Sequence, residues 1–307
     1  MQKGILLVAL GHPNFAKMGI NLAISVKANS PDTLIALAHN YENLNFLEAR
    51  YRKHIDFDFH LEPSYYRHKE KNAFGMMKTR LYEFTPFEHT LYIDVDSLMI
   101  KDKTPDRFFY EIDLHNFIIP HGGEMNPTSD AYDFHTHWVK FRDVKHLFNF
   151  QDCKIMGYCQ SSVIGFKRCE IAKAIFSKAN YVYHVLAERN IAENMWFNTV
   201  PDELCFWLAH GIVGFTPTYN PDPYILYSSS LRTVTNYRHV YAEKDIATFP
   251  SAMSLLKSYE KDFYNLLVRY YSDKTGIPPL HFWIDKRRAM PINQHRLRER
   301  PHERFIR

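Results

Sequence analysis

Two carboxylates follow an apolar run in the segment TLYIDVDSLMI, residues 90–100. Burying a carboxylate is costly unless a cation or hydrogen-bond donors compensate its charge. Residues two positions apart in a strand point to the same side, so Asp94 and Asp96 are predicted to converge while Val95 turns into the core. Carboxylate oxygens are the ligands that Mn²⁺ and Mg²⁺ prefer. The spacing therefore predicts a site for a hard divalent cation, which would offset the cost of burial.

The chain contains a second D-x-D, Asp56-Phe57-Asp58, which serves as an internal comparison. There the acids alternate with Ile55, Phe57 and Phe59, and this alternation predicts a strand with one solvated face. The first pair differs because three apolar residues stand in a row immediately before it. Solvation explains the second pair fully and the first pair poorly, which favours a metal or nucleotide site at the first pair.

The elements ahead of the first pair predict an α/β sheet that would position it. Residues 4–10 and 33–39 are short continuous apolar runs, which are typical of parallel strands buried on both faces. Apolar residues at helical spacing lie between them at 14–29, so the chain opens β-α-β with a right-handed crossover. Ligands of open α/β sheets bind beyond the carboxyl ends of the strands, which is where the carboxylate pair is predicted to lie.

Later segments continue the alternation of helices and strands. Phe74, Met77, Leu81 and Phe84 lie at helical spacing and predict one continuous helix. The remaining predicted elements are strands at 116–120, 161–166 and 212–217, a turn at 122–123, and helices at 169–189, 201–211 and about 251–272. We interpret residues 1–220 as one α/β domain and residues 221–307 as a C-terminal extension.

Taken in order, these segments resemble the nucleotide-sugar glycosyltransferases of the GT-A fold, including the retaining glycogenin-like and galactosyltransferase-like enzymes. LYIDVDSLMI resembles their D-x-D strand, and KTRLYEFTPFEHT resembles the helix and turn before it. YCQSSVIGFKR is similar to their Asn-Ser-Gly strand, and VPDELCFWLA is similar to the helix that starts with Asp-Gln. The resemblance covers residues 4–216. It implies a Rossmann-like, mixed but mostly parallel sheet flanked by helices.

The same resemblance implies the cofactor, the substrates and the residues that bind the donor. The cofactor would be Mn²⁺ or Mg²⁺, the donor a nucleotide sugar, most simply a UDP-sugar, and the acceptor a hydroxyl group. The donor-binding residues implied are Leu10, Gly11, Lys78, Arg80, Asp94, Val95, Asp96, Gln160, Ser161, Ser162 and Lys286. In this set Gln-Ser-Ser replaces Asn-Ser-Gly. Without the resemblance, Lys78 and Arg80 would read as the solvated flank of a helix.

Asp202 and Glu203 are the candidate catalytic residues. They stand at the start of a predicted helix, where the helix dipole and capping favour acids for structural reasons alone. In an inverting enzyme one of them would deprotonate the acceptor hydroxyl, and in a retaining enzyme they would hold the sugar. Glu203 replaces the Gln of the family pattern, and both alternatives stay open.

A third metal ligand is expected from a C-terminal histidine, which relatives follow with a lysine that contacts the diphosphate. Two pairs fit this description, His281 with Lys286 and His239 with Lys244. We favour His281 as the third metal ligand beside Asp94 and Asp96, because His281 follows an apolar stretch.

The basic tail, residues 286–307, holds eight Lys and Arg against two Glu, a net charge of +6. Since the whole chain carries +4, the other 285 residues carry −2. Three interpretations remain open: a solvated end, a gate whose cations stabilise the leaving diphosphate, or a nucleic-acid contact. The last matters because some GT-A enzymes glycosylate modified bases in DNA.

A second family fits the D-x-D by itself. In haloacid-dehalogenase-like phosphatases the first Asp, here Asp94, is the nucleophile and the second, here Asp96, is a general acid. That family also needs a downstream acidic cluster, and the sequence has neither an adjacent Asp pair nor G-D-x-x-x-D. Its motif normally opens the domain, whereas a predicted β-α-β precedes it here.

Composition indicates a globular protein and gives an expectation for its compartment. The sequence is 46% hydrophobic and 23% charged. Its four cysteines form no C-x-x-C pair, which argues against zinc-knuckle and thioredoxin-like motifs. No apolar run reaches the roughly 18 residues of a membrane span. We therefore expect a soluble, cytoplasmic enzyme.

Overall fold

The structure, a computed structural model, describes residues 2–125, 139, 141–151, 155–191, 200–227, 244–249, 258–278 and 280. Its strands are β1 Lys3–Ala9, β2 Leu34–His39, β3 Phe57–His60, β4 Arg67–His68, β5 Lys71–Asn72, β6 His89–Ile93, β7 Ser97–Met99, β8 Phe117–Ile118, β9 His121–Met125, β10 Ile155–Cys159, β11 Val163–Lys167, β12 Ile225–Tyr227 and β13 Ile246–Thr248. Its helices are α1 Asn14–Asn29, α2 Ala49–Arg52, α3 Phe74–Lys78, α4 Leu81–Phe84, α5 Thr104–His115, α6 Phe141–Lys145, α7 Glu170–Glu188, α8 Asp202–Val213 and α9 Ser258–Thr275.

The central sheet has six strands in the order β3-β2-β1-β6-β11-β8. Strands β3, β2, β1 and β6 are parallel, and β11 runs antiparallel to both β6 and β8. The predicted β-α-β opening and the mixed, mostly parallel sheet are thus confirmed. Since β11 is antiparallel, its first residues lie beside the carboxyl end of β6.

Alternate residues of β1 belong to two different packing layers. Ile5 and Leu7 join a buried cluster with α1, α5 and α9, whereas Leu6 and Val8 join one with α3, α7 and α8. Both faces of the sheet are therefore covered, which explains why its strands read as continuous apolar runs. By the same alternation, Tyr92 of β6 faces the layer that contains α3 and α8.

The C-terminal part of the chain packs on the same core. Strand β7, which follows the carboxylate pair, pairs with β13, and β13 pairs with β12. Helix α9 packs on α1, where the Asn21 amide group donates to the Tyr264 hydroxyl at 3.4 Å and to the Leu280 carbonyl at 3.0 Å. The division at residue 220 stays a prediction, and of the helix predicted at 251–272 the described part begins at Ser258.

The continuous helix predicted from Phe74 to Phe84 is instead two short helices, α3 and α4. Thr79 Oγ1 donates to the Met76 carbonyl at 2.7 Å, a local bond that competes with continuation of the helix. Arg80 then leaves helical geometry, with φ −115° and ψ 8°. The apolar spacing correctly predicts the side that packs on the core, where Met77 and Leu81 are buried. It does not predict the helix break, because the Thr79 hydrogen bond to the backbone leaves no trace in the apolar period.

Two other local predictions are wrong. The residues predicted as a turn, Gly122 and Gly123, lie in β9, which pairs antiparallel with β10. The strand predicted at 212–217 is the last turn of α8 followed by irregular chain, because the helix runs past Gly211 and ends at Gly214. Gly214 has φ +75°, and its N–H donates to the His210 carbonyl at 3.0 Å, so this glycine provides the helix stop.

Helix α8 also buries a histidine, which predicts a pH dependence of stability. His210 is fully buried, Phe206 O lies 2.6 Å from its Nδ1, and burial lowers the pKa of His210 to about 4. An unfolded histidine titrates near pH 6.5, so between these values the unfolded state binds more protons and stability falls as the pH is lowered. We expect His210 to account for about 3 kcal/mol of the stability lost between pH 7 and pH 4. Urea unfolding of the wild type and His210→Leu across this range measures it, and equal slopes would contradict the assignment.

Candidate active site

Five side chains meet at the carboxyl end of β6, and we call them the Lys78 cluster. Its members are Lys78 at the end of α3, Tyr92 and Asp94 on and just after β6, Ser161 just before β11, and Asp202 at the start of α8. Four separate elements thus deliver polar groups to one point. The charged side chains are mostly buried, with 14% of Lys78, 23% of Asp94 and 19% of Asp202 exposed.

The sheet itself sets the distance between Asp94 and Ser161. The Asp94 N–H donates to the Ser162 carbonyl at 2.8 Å, which extends the pairing of β6 and β11 by one residue. Asp94 and Tyr92 are two positions apart and lie on the same side of the strand, as the alternation requires. The backbone therefore fixes three members of the cluster before any side chain pairs.

Lys78 is the ionic centre of the cluster. Its Nζ lies 2.9 Å from Asp94 Oδ2, 3.3 Å from Asp202 Oδ2 and 3.2 Å from Ser161 Oγ. Burial alone would lower the pKa of Lys78, but the carboxylates of Asp202 and Asp94 outweigh it and raise that pKa well above the ordinary value. The amine therefore stays protonated throughout the physiological pH range.

Tyr92 occupies the other oxygen of Asp94. Its hydroxyl donates to Asp94 Oδ1 at 2.5 Å, while Lys78 donates to Oδ2. Burial and the neighbouring Asp94 carboxylate raise the pKa of Tyr92 well above its ordinary value, so the phenol keeps the proton that it donates. Sequence reasoning missed Tyr92 because it read the residue as part of the apolar run. The available signal was a hydroxyl two positions before the acid, on the same face of a strand.

Asp202 begins α8, where the positive end of the helix dipole favours a carboxylate. Its Oδ2 accepts hydrogen bonds from Ser161 Oγ. Helix α3 packs closely on the segment before α8, since an added Cβ on Gly75 would lie only 2.3 Å from the Val200 carbonyl oxygen. This close packing brings Asp202 to Lys78. Glu203 follows in the helix, and its backbone carbonyl accepts a hydrogen bond from Cys159 Sγ at 2.9 Å.

The second acid of the motif lies beyond a turn. The Ser97 N–H donates to the Asp94 carbonyl at 3.0 Å, so residues 94–97 form a turn and not a continuing strand. The strand alternation used to predict convergence therefore does not apply to Asp96. Asp96 is buried, its carbonyl accepts a hydrogen bond from Phe249 N–H at 2.9 Å, and Val95 packs in the layer of α1.

The remaining donor-binding candidates lie around the sheet edge at different positions. Leu10 is buried at the end of β1, and Gly11 follows with φ +84° and its N–H bonded to Asn40 Oδ1 at 2.8 Å. Gln160 donates its N–H to the Pro120 carbonyl at 2.8 Å. Ser162 is buried directly beside Asp94 through the backbone bond described above.

The structure does not bring Arg80 into the Lys78 cluster. Its guanidinium group binds Glu83 at 2.6 Å and the Ser64 carbonyl at 2.5 Å, and it stacks over the Tyr65 ring at 4.3 Å. Residues two positions apart along a helix do not face the same side, so Arg80 points away from Lys78 and toward Glu83 and Ser64. Of the two cations implied on this segment, Lys78 alone is placed beside Asp94.

The second D-x-D lies at the start of the edge strand β3. Asp58 is 59% exposed, and Asp56 accepts a hydrogen bond from the Ile35 N–H at 2.8 Å and pairs with Lys27 at 2.8 Å. Phe57 is itself 41% exposed, so the alternation there is imperfect. Asp58 has the solvated setting that the sequence predicts, whereas the Asp56 side chain is only 27% exposed and is satisfied by Lys27 and the Ile35 N–H.

Comparison of the fold with solved structures identifies its class. A galactosyltransferase, LgtC, in complex with donor and acceptor sugar analogs superposes with a TM-score of 0.50 at 13% identity, over 93% of this chain and 99% of that one. The bifunctional glycosyltransferase WbbM superposes with a TM-score of 0.51 at 10% identity, over 90% of this chain and 52% of WbbM. The chain has the GT-A glycosyltransferase fold. No protein-family model matches the sequence, and a search of curated proteins finds no match either.

The GT-A fold confirms the predicted fold class and leaves several site predictions untested. His281, His239 and Lys286 lie outside the described residues, as does the basic tail with its possible nucleic-acid role. Within the described ranges there is no group of three His, Cys, Asp or Glu side chains that could hold a metal. Among the same residues no helix is long and apolar enough to span a membrane.

A hard divalent cation nevertheless fits the chemistry of the groups present. The carboxylates of Asp94 and Asp96 are hard oxygen donors that flank a turn at the carboxyl end of β6. In this structure, however, both oxygens of Asp94 already accept hydrogen bonds from Lys78 and Tyr92. Each carboxylate oxygen can accept more than one contact, so a metal could share Oδ1 with the Tyr92 hydroxyl, whereas the positive charge of Lys78 beside Oδ2 would oppose its approach.

Proposed function

We propose that the protein is a metal-dependent glycosyltransferase that moves a sugar from a nucleotide-sugar donor, a UDP-sugar in the simplest case, to a hydroxyl acceptor. The observation that carries the proposal is the Lys78 cluster, which places a buried ammonium between two carboxylates at the carboxyl end of β6 in a GT-A fold. LgtC, which shares the fold, is a galactosyltransferase whose structure contains donor and acceptor sugar analogs.

Each part of the cluster has a task in this reaction. Asp94 and Asp96, with a histidine such as His281, would hold the metal, which when bound supplies Lewis-acid stabilisation of the leaving nucleotide. Lys78 is a fixed positive charge beside that position and would stabilise negative charge on the departing diphosphate. Most of its side chain is excluded from water, which strengthens such an interaction.

The contacts of Asp202 favour a role in holding the donor sugar over a role as a general base. Its Oδ2 already accepts hydrogen bonds from Ser161 and pairs with Lys78 at 3.3 Å. Both contacts are made by Oδ2 and fix the orientation of the carboxylate, which suits a group that positions the donor sugar. We therefore assign Asp202 to orientation of the donor sugar, and we leave Glu203 as the alternative base in an inverting reaction.

A donor panel tests the proposal. Purified protein with Mn²⁺ is offered a series of nucleotide sugars, and release of nucleoside diphosphate is measured with and without simple sugar acceptors. We expect hydrolysis or transfer from one donor class, lowered about a hundredfold in Asp96→Ala because the site loses a buried anionic ligand.

The chain offers its own control for this experiment. Asp58→Ala removes an acid from the exposed D-x-D on β3 and should leave the rate unchanged. If no nucleotide sugar is bound or cleaved, or if Asp96→Ala behaves like Asp58→Ala, the proposed function is wrong.

A further inference from the structure

Asp94 has two oxygens, and each is committed to a different protein donor. Lys78 Nζ lies 2.9 Å from Oδ2 and the Tyr92 hydroxyl 2.5 Å from Oδ1. The Tyr92 hydroxyl is neutral and can share its oxygen with a further partner, whereas Lys78 brings a full positive charge. A divalent cation that approaches Asp94 would therefore meet a like charge already bound there.

Lys78 also has a second anionic partner within reach. Asp202 Oδ2 lies 3.3 Å from its Nζ, and the Ser161 carbonyl oxygen lies 3.4 Å from it. A small shift of the ammonium away from Asp94 would keep these contacts, so leaving Asp94 does not strip the lysine of partners. The structure shows Lys78 shared between the two carboxylates, and these contacts permit a second arrangement in which Asp202 alone holds it.

We propose that Lys78 and the divalent cation compete for Asp94, and that the diphosphate of the donor relieves this competition by accepting Lys78. The inference rests on the proposed function for the identity of the diphosphate. Its consequence is that metal and donor bind cooperatively: the site binds metal weakly when empty and tightly once a diphosphate gives the lysine a new partner. Lys78 would then couple metal and donor binding as well as stabilise charge.

Metal binding in the absence of any donor tests the competition directly. Titration of Mn²⁺, followed by electron paramagnetic resonance of the free ion, is carried out on the wild type and on Lys78→Met. We expect Lys78→Met to bind Mn²⁺ at least about tenfold more tightly, because the competing charge is gone while both acids of the motif remain. UDP brings oxygen ligands to the metal in both proteins, so it should tighten Mn²⁺ binding in each, but the gain should be about tenfold larger in the wild type, where the diphosphate also draws Lys78 away from Asp94.

The Lys27–Asp56 ion pair gives a matched control. Lys27 Nζ lies 2.8 Å from Asp56 Oδ2, and the two side chains are 16% and 27% exposed, much like Lys78 and Asp94. Lys27→Met therefore also removes a lysine from a partly buried D-x-D carboxylate, but at the other copy of the motif. This variant should bind Mn²⁺ as the wild type does. An equal gain in Lys27→Met would mean that the loss of any positive charge, and not competition at Asp94, is responsible.

A second variant protects the test against a folding defect. Lys78→Met leaves two buried carboxylates near each other, and the double variant Lys78→Met/Asp202→Asn removes one charge of each sign. Thermal melts identify which variants are folded, and either one is expected to show the tighter Mn²⁺ binding. Mn²⁺ affinity that is unchanged or weaker in a folded variant overturns the competition. If the wild type binds neither UDP nor any nucleotide sugar, the proposed function is wrong. The titration of Mn²⁺ without a donor still tests the competition between Lys78 and the metal.

Discussion

Replacing Asp94 with asparagine should slow sugar transfer by about 10²- to 10³-fold, the loss typical when a buried electrostatic contact to the reacting groups is removed. The amide keeps the shape of the side chain and can still accept the Tyr92 hydrogen bond at Oδ1. It removes the negative charge that pairs with Lys78 at 2.9 Å and one proposed ligand of the metal. The effect should therefore appear in kcat at saturating donor, with little change in the melting temperature.

Asp58→Asn provides the comparison for this variant. It makes the same chemical change at a 59% exposed acid in the other D-x-D, which lies 3.6 Å from His39 Nε2 and outside the Lys78 cluster. The two variants should differ by at least two orders of magnitude in rate. If Asp94→Asn retains most of the wild-type rate, the Lys78 cluster is a structural ion-pair network and not a catalytic one.

The parts of this site that local sequence could predict are those set by the chain near Asp94. A continuous apolar run predicts a strand buried on both faces, and β6 is one. A β-α-β ahead of it predicts parallel pairing, which the registers of β1 with β2 and β6 confirm. Each of these predictions needs only the period of a few neighbouring residues.

The parts that could not be predicted depend on contacts between distant residues. Lys78 meets Asp94 across 16 positions and Ser161 across 83, and no periodicity relates those residues. The turn after Asp94 follows from pairing of the next strand, β7, with β13, which lies far along the chain. The family resemblance marked Lys78 and Asp202 as candidates, and the buried carboxylate pair marked Asp94. Only packing shows that these three contact one another while Arg80 turns away.

Gly75→Ala should lower the free energy of unfolding by about 1–3 kcal/mol, the usual cost of overfilling a packed contact. An added Cβ would lie 2.3 Å from the Val200 carbonyl oxygen and 3.2 Å from the Asp202 nitrogen, and both are backbone atoms that cannot rotate away. The substitution also gains helix propensity of about 1 kcal/mol, so a net loss would show that the steric contact dominates. Urea unfolding measures the change.

The same substitution should lower transfer activity about tenfold or more, because a 1 Å misplacement far from the chemistry can cost 10²-fold. Pushing α3 away from the segment before α8 would separate Lys78 from Asp202, which are now 3.3 Å apart. A double-mutant cycle measures this separation: Asp202→Asn should cost less activity in Gly75→Ala than in the wild type.

Gly19→Ala is the matched control for the stability measurement. It also adds a Cβ to a helical glycine, but the nearest atom is Val95 Cγ1 at 3.3 Å, a side-chain end that can shift slightly. Its stability should change little, or rise through helix propensity. If Gly75→Ala matches it in stability and Asp202→Asn costs the same in both backgrounds, close packing at Gly75 does not position Lys78. The ion pairs with Asp94 and Asp202 would then be what holds Lys78 in place. The proposed movement of Lys78 away from Asp94 would not depend on the position of α3.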